Sequence, residues 1–306
     1  MGIFLENISI KLKKVVKSMK VSPINQTSVV LVATLLSGAA LAETVGEITV
    51  SDALILEQRN NLAANSIGSG YGPQSPRDID VKSGANIQEF SAAPPANSMN
   101  ICNIHFHENA EHRGGQFTTF AGNGDGHGNG TGYKYNGALT SLEKTTLDYT
   151  VGKNDHGGLE PGDTIEIHFV HSTADVKPGA TLSSCITDEI MNPQLRVETV
   201  VAVLVNDTTA ASFTEIAEIK RLNGYFQAPN IPEKLGMSVT YSGSTTGPSY
   251  NEKSSSLQVT WNVRPNVLKL DIGSVAVWLA DNPFDEDYAH GVRNLILNPN
   301  LLSPID

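Results

Sequence analysis

The chain has 306 residues and a formal net charge of −11, with 21 Lys and Arg against 32 Asp and Glu. This length can hold one large domain or two ordinary ones, each with a sizeable core. The acidic balance disfavours nucleic acid and anionic membranes as partners, and 27 Gly and 15 Pro point to strands and loops rather than a helix bundle.

At the amino end Lys11, Lys13, Lys14, Lys17 and Lys20 precede the apolar run 29–36, and Ala40-Leu41-Ala42 has the small residues of a cleavage site. Residues 1–42 therefore read as a signal peptide and predict a periplasmic or secreted protein, a retained anchor being the alternative. Cleavage removes five Lys and one Glu, carries the net charge to −15, and predicts no stable membrane association afterwards. Cys102 and Cys185 are the only cysteines. An even pair in an exported chain most simply forms one disulfide, with two buried thiols as the alternative.

Residues 43–70 read as a poorly ordered segment, apart from a short helix around 51–60, and 71–306 as one large domain. Alternating or apolar runs recur at 101–107, 141–149, 164–171, 195–205, 238–241, 257–263 and 275–279. Their β-branched content predicts a mainly β (α+β) fold with a large, mostly antiparallel central sheet and few short helices. One helix is predicted over 212–222, where Phe213, Ile216 and Ile219 recur at helical spacing. The glycine-rich run 122–132 lacks the Gly-Lys-Ser/Thr ending of a phosphate loop and enough acidic ligands for calcium, so it reads as a surface loop at the rim of the site.

The chemistry concentrates in three stretches, 103–107, 166–171 and the hydroxyl-bearing 243–248. In an extended strand side chains alternate, so His105 and His107 share one face while Ile104 and Phe106 enter a core. Cys102 falls by the same parity on the Ile104 and Phe106 face, away from a metal. In 164–171, Glu166, His168 and Val170 share one face, and His171 looks back toward the core with Ile165, Ile167 and Phe169. His105, His107 and His168 thus predict a three-imidazole metal site with an open fourth position, for which zinc is the natural ion. Asn103 and Glu166, each two residues before a ligand and on its face, are placed to hold the rings from behind.

These residues resemble a family. Tyr71-Gly72-Pro73-Gln74-Ser75-Pro76-Arg77-Asp78-Ile79 is similar to the Gln-Ser-Pro-x-x-Ile motif of alpha-class carbonic anhydrases. His105-Phe106-His107 with Glu111-His112, Glu166-Ile167-His168-Phe169-Val170-His171, Tyr241-Ser242-Gly243-Ser244-Thr245-Thr246-Gly247-Pro248 and Val259-Thr260-Trp261 resemble further motifs of that class, in order along the chain. The wording of 102–112 is most similar to the delta class, and the chain is identified as a member of it. The resemblance implies an alpha-class-like fold with 71–306 as the catalytic domain, and zinc-dependent hydration of carbon dioxide to bicarbonate and a proton. It further implies that Thr246 aims a zinc-bound hydroxide while donating to a buried Glu111, and that Val170 lines a small apolar pocket with one or more of residues 200–205.

Two features depart from the alpha class. Sixty residues separate His107 from His168, and no histidine lies between Gln74 and Cys102, where that class carries its proton shuttle. His127 on the glycine-rich run is the candidate shuttle, while His112 and His156 read as structural or surface residues. The rival reading is a cupin-type metal-binding protein or oxygenase, in which Glu111 would be a fourth ligand to iron or manganese. A second rival is a non-catalytic binding module on the same scaffold, against which all three imidazoles stand.

Overall fold

Two long strands, Asn100–Glu108 and Thr164–Ser172, convert the alternation of the sequence into the two faces of the molecule. The computed structural model describes residues 49–69, 72–246 and 251–306. The signal read over 1–42, Tyr71 and the Gly247-Pro248 end of one motif lie outside the described residues. In chain order the elements are α1 (Asp52–Ser66), β1 (Pro73–Ser75), β2 (Asn100–Glu108), β3 (Thr119–Asn123), β4 (Thr131–Lys134), β5 (Val151–Asn154) and β6 (Gly157–Leu159). They continue with β7 (Thr164–Ser172), β8 (Leu195–Val205), α2 (Phe213–Ile216), β9 (Lys220–Leu222), β10 (Tyr225–Gln227), β11 (Val239–Thr246), β12 (Ser254–Val263), β13 (Leu268–Asp271) and α3 (Ile272–Ala280).

Seven strands form one sheet in the order β1-β11-β12-β8-β7-β2, with β13 also paired to β8. The sheet is mixed: β1–β11, β12–β8 and β13–β8 run parallel, while the three longest ladders, β2–β7, β7–β8 and β11–β12, are antiparallel. The fold is thus mainly β with few short helices, as the strand pattern predicts. Three small hairpins lie outside the sheet. Two of them, β3–β4 and β5–β6, take up the long stretch between His107 and His168.

One face of the sheet is a dry core. Ile104 and Phe106 of β2, Ile165, Ile167 and Phe169 of β7, and Val200, Ala202 and Leu204 of β8 pack there under Phe213, Val275 and Trp278. Each such side chain contributes roughly 1.5–3 kcal/mol when fully buried. The other face carries Val170, Val197, Val201, Tyr241, Val259 and Trp261, together with the polar groups of the site.

Several elements differ from the sequence expectation for identifiable reasons. Cys102 joins the layer of Val170 and Val197 instead of that of Ile104, because the β2–β7 register shifts between Ile101 and Asn103 and a bulge resets the parity. It pairs with Cys185, Cα to Cα 5.1 Å. The run 275–279 is helical, not extended, because Asp271 caps α3 by accepting from the Gly273 and Ser274 amides. The stretch 141–149 is not a strand: 141–144 form a hydrogen-bonded turn with Leu142 76% exposed, and Leu147 alone packs on the core. Helix over 212–222 stops after α2, since Asn223 and Gly224, both at positive φ, fold 220–227 into the β9–β10 hairpin. Within the segment read as poorly ordered, α1 is a 15-residue helix capped by Ser51, with Leu62 packed against Ile296, Leu301 and Leu302. No helix among the described residues is long and apolar enough to cross a membrane.

His171 lies on the core side of β7, 1% exposed, with its Nδ1 3.0 Å from the Phe169 carbonyl. Burial, outweighing the pull of Glu198, lowers its pKa to about 4, against about 6.5 in an unfolded chain. Between those values the unfolded state binds a proton that the folded state refuses. The contribution is therefore complete above pH 6.5 and is lost as the pH falls toward 4, by roughly 3 kcal/mol. Denaturant unfolding at pH 7 and 4.5 should show this loss and a flatter slope in His171→Gln; the same slope in both proteins would contradict it.

Candidate metal centre

The site follows from the register of β2 on β7. His105 is the Cα partner of His168, His107 of Glu166, and Asn103 of Val170, so two strands deliver three imidazoles to one face. His105 Nε2 and His168 Nδ1 lie 3.3 Å apart. The ring of His107 is centred 5.2 Å from His105 and 4.8 Å from His168. Each of the three offers a nitrogen within 4.8 Å of the others.

The outward nitrogens decide which lone pairs face inward. Asn103 Oδ1 accepts from His105 Nδ1 at 2.6 Å, the Gly291 carbonyl from His107 Nδ1 at 2.8 Å, and Glu166 Oε1 from His168 Nε2 at 2.7 Å. A carbonyl or carboxylate cannot donate, so each ring carries its proton on that side. The remaining His105 Nε2, His107 Nε2 and His168 Nδ1 are then bare acceptors, and His107 Nε2 is buried with no partner. Two bare nitrogens 3.3 Å apart repel unless a cation lies between them. That separation is also the edge of a tetrahedron with metal–nitrogen bonds of about 2.0–2.1 Å. Burial, and then the neighbouring histidines and Arg293, keep His105 well below its ordinary pKa. Burial also brings His107 to about 4 against the opposing pull of Glu111. His105 and His107 are therefore neutral and ready to bind a metal at physiological pH.

Behind them, Glu166 is fully buried and saturated. Its Oε1 also accepts from His112 Nδ1 at 2.6 Å and its Oε2 from the His112 amide at 3.0 Å. His112 Nε2 in turn accepts from the Tyr241 hydroxyl at 2.6 Å, and Arg77 lies over the Tyr241 ring at 5.3 Å. Burial would raise the Glu166 carboxyl, yet His112 and His168 outweigh it and hold it well below its usual range. His112, Glu166 and His168 are also close enough to hold an ion, but here direct hydrogen bonds join them, so they form a support chain. Trp261 completes the wall, its ring 5.1 Å from His168 and from His112.

Glu111 and Thr246 are both buried. Glu111 Oε1 accepts from the Arg293 amide at 3.0 Å and its guanidinium at 3.3 Å. Its Oε2 has no partner, nor has Thr246 Oγ1. Burial pushes the Glu111 carboxyl up, but His107, Arg293 and His168 prevail and keep it ionised. The closest imidazole nitrogens to Glu111 are His107 Nδ1 at 3.7 Å and His168 Nε2 at 4.0 Å. These are the outward nitrogens, so Glu111 stands behind the rings, and the carboxylate ligand of the cupin reading is not in place. Val170, 2% exposed, lies on the ligand face with Val197 and Val201, whereas Val200, Ala202 and Leu204 of the predicted 200–205 set belong to the opposite core.

The structure adds residues that the sequence does not signal. The His290 amide donates to the Phe106 carbonyl and its own carbonyl accepts from Glu108, so 290 extends the free edge of β2 in a parallel bridge with His107. Its ring lies 5.6 Å from His105 and 5.9 Å from His107, and Glu286 holds it at 2.6 Å. Gly291 and Arg293 follow in the same segment. None of these has a motif, because the backbone bridge to β2, made far along the chain, is what brings them to the site. His290, His156 and Asn129 line an open cavity of about 480 Å³. His127 is exposed at the tip of the glycine-rich loop, its amide capped by Asp125 at 2.7 Å. That loop is fastened at its base, where the Gly128 carbonyl accepts from Val292 and the Gly124 carbonyl from Val50.

Comparison with known proteins supplies a family. A family model described as delta carbonic anhydrase matches residues 96–274, more than half of the chain. No curated protein matches the sequence. Among solved structures, the chain is similar to an alpha-carbonic anhydrase of Photobacterium profundum, with 16% identity over 82% of this chain and 95% of that one and a TM-score of 0.26. It is similar in the same degree to a hyperthermostable carbonic anhydrase identified from an active hydrothermal vent chimney, with 17% identity over 80% and 90% and a TM-score of 0.26. With three imidazoles turned to one point and the family model matching more than half of the chain, this protein belongs to the delta carbonic anhydrases.

Proposed function

We propose that this chain catalyses the reversible hydration of carbon dioxide to bicarbonate and a proton, with zinc held by His105 Nε2, His107 Nε2 and His168 Nδ1. The observation that carries it is the pair of bare acceptor nitrogens at 3.3 Å, each fixed in tautomer from behind. Zinc on three neutral imidazoles brings the pKa of a coordinated water to about 7 and so supplies a nucleophile at neutral pH.

The chain's own residues do the rest. Asn103, Gly291 and Glu166 hold the rings in orientation and make them better donors. Ionised Glu111, gripped by Arg293 on Oε1, has only acceptor capacity left on Oε2. Thr246 Oγ1 and Glu111 Oε2, both buried without a partner, are complementary: the hydroxyl would donate to the carboxylate and leave its own oxygen to accept from the attacking group and aim it. Val170, Val197 and Trp261 offer an uncharged molecule an apolar wall. His127, exposed on its loop, is the candidate for passing the proton to buffer. The Cys102–Cys185 bond supports the reading of an exported, periplasmic or secreted protein.

Stopped-flow hydration of carbon dioxide tests this directly. The zinc-loaded protein should be active, a chelator should abolish the activity, and His168→Ala should lose bound zinc and activity together; an active chelated protein or an active His168→Ala would overturn the reading. Thr246→Val should keep the zinc and lower kcat/KM about 10²-fold, with Thr246→Ser retaining most of it; wild-type kcat/KM in Thr246→Val would remove Thr246 from the mechanism. His127→Ala should slow turnover only in weak buffer, and unchanged turnover there would take the proton role from His127.

A further inference from the structure

Helix α1 lies outside the family match over 96–274, yet it grips both arms that carry the Thr246 and Glu111 pair. Thr246 ends β11 in register with Ser254, whose Oγ lies 3.3 Å from Ser66 Oγ at the end of α1. Beside it, the Asn65 amide donates to the Glu252 carbonyl at 2.8 Å. On the other arm, Arg293 holds Glu111, and Arg59 of α1 donates to the Leu295 carbonyl at 3.2 Å.

The two arms meet at one side chain. Gln58 Oε1 accepts from Asn294 Nδ2 at 2.7 Å and from Asn251 Nδ2 at 3.4 Å, while Gln58 Nε2 donates to the Gly126 carbonyl at 2.9 Å. Asn251 Oδ1 accepts from the Asn294 amide at 2.7 Å, which closes the ring of contacts. Asn251 is 3% exposed and Asn294 9%, so water cannot easily replace a lost partner. Asn251 lies in the connection that leaves Thr246, and Asn294 follows the residue that grips Glu111.

We propose that Gln58 is a positioning residue: through Asn251 and Asn294 it sets how far Thr246 stands from Glu111. The proposal rests on the hydration reading of that pair. It makes α1 a working part of the site rather than a leader to the sheet. The packing of Leu62 on Ile296, Leu301 and Leu302 holds the helix on the domain by contacts that do not involve Gln58.

The test uses the full chain and two readouts. In the zinc-loaded protein, Gln58→Ala should lower kcat/KM on the order of tenfold with its zinc content unchanged. Gln58→Glu, which keeps an accepting oxygen for both asparagine amides but loses the donor to the Gly126 carbonyl, should recover part of that loss. Ser51→Ala, which weakens the cap of α1 without touching either arm, should leave kcat/KM alone. In the metal-free protein, hydrogen exchange over 251–254 and 293–295 should quicken about tenfold in Gln58→Ala and stay unchanged in Ser51→Ala. Wild-type exchange in Gln58→Ala, or a Gln58→Glu as impaired as Gln58→Ala, would overturn the proposal. A wild-type protein that does not hydrate carbon dioxide would instead overturn the hydration reading and leave the exchange result to judge Gln58.

Discussion

A single buried carboxylate organises this molecule. Glu166 accepts from His168 Nε2, His112 Nδ1 and the His112 amide, and because an ionised carboxylate cannot donate, it dictates where the protons of two imidazoles reside. Placing a charge at that depth would be costly without partners, and three donors offset the cost. The consequence is that His168 Nδ1 turns an unshared lone pair toward His105 and His107. Asn103 and the Gly291 carbonyl impose the same choice on those two rings. The metal centre is therefore prepared by its backing, before any ion arrives.

The backing ties the site to the fold. Glu166 and His168 are neighbours on the same face of β7, and the antiparallel pairing with β2 sets His107 and His105 opposite them. The alternate residues of the same strands, Ile165, Ile167, Phe169, Ile104 and Phe106, fill the core on the other side. A one-residue slip of register would bury imidazoles in hydrocarbon and expose phenylalanine, so the core packing that stabilises the sheet also enforces the geometry of the site. From the second strand pair, Tyr241 and Trp261 reach His112 and His168 and close the wall.

What is legible in the sequence is what period-two alternation encodes. The positions of His105, His107 and His168, the backing by Asn103 and Glu166, and the inward turn of His171 all follow from counting along strands. The same counting misplaces Cys102, because a bulge is a property of the pairing and not of one strand. It misreads 275–279 as extended, since a short apolar run suits a buried helix equally until Asp271 is seen as its cap. The Asn223-Gly224 turn was a local signal that outweighs the helical spacing before it. His290, Gly291 and Arg293 were invisible because they reach the site through a strand-edge contact made far along the chain.

Three imidazole lone pairs converge on one point with no carboxylate beside them. X-ray absorption at the zinc edge of the metal-loaded protein tests this most directly. Three imidazole nitrogens at about 2.0–2.1 Å and one further light atom not supplied by the chain are expected. A spectrum requiring two imidazoles or fewer, or one that loses a ligand in Glu111→Gln, would contradict it.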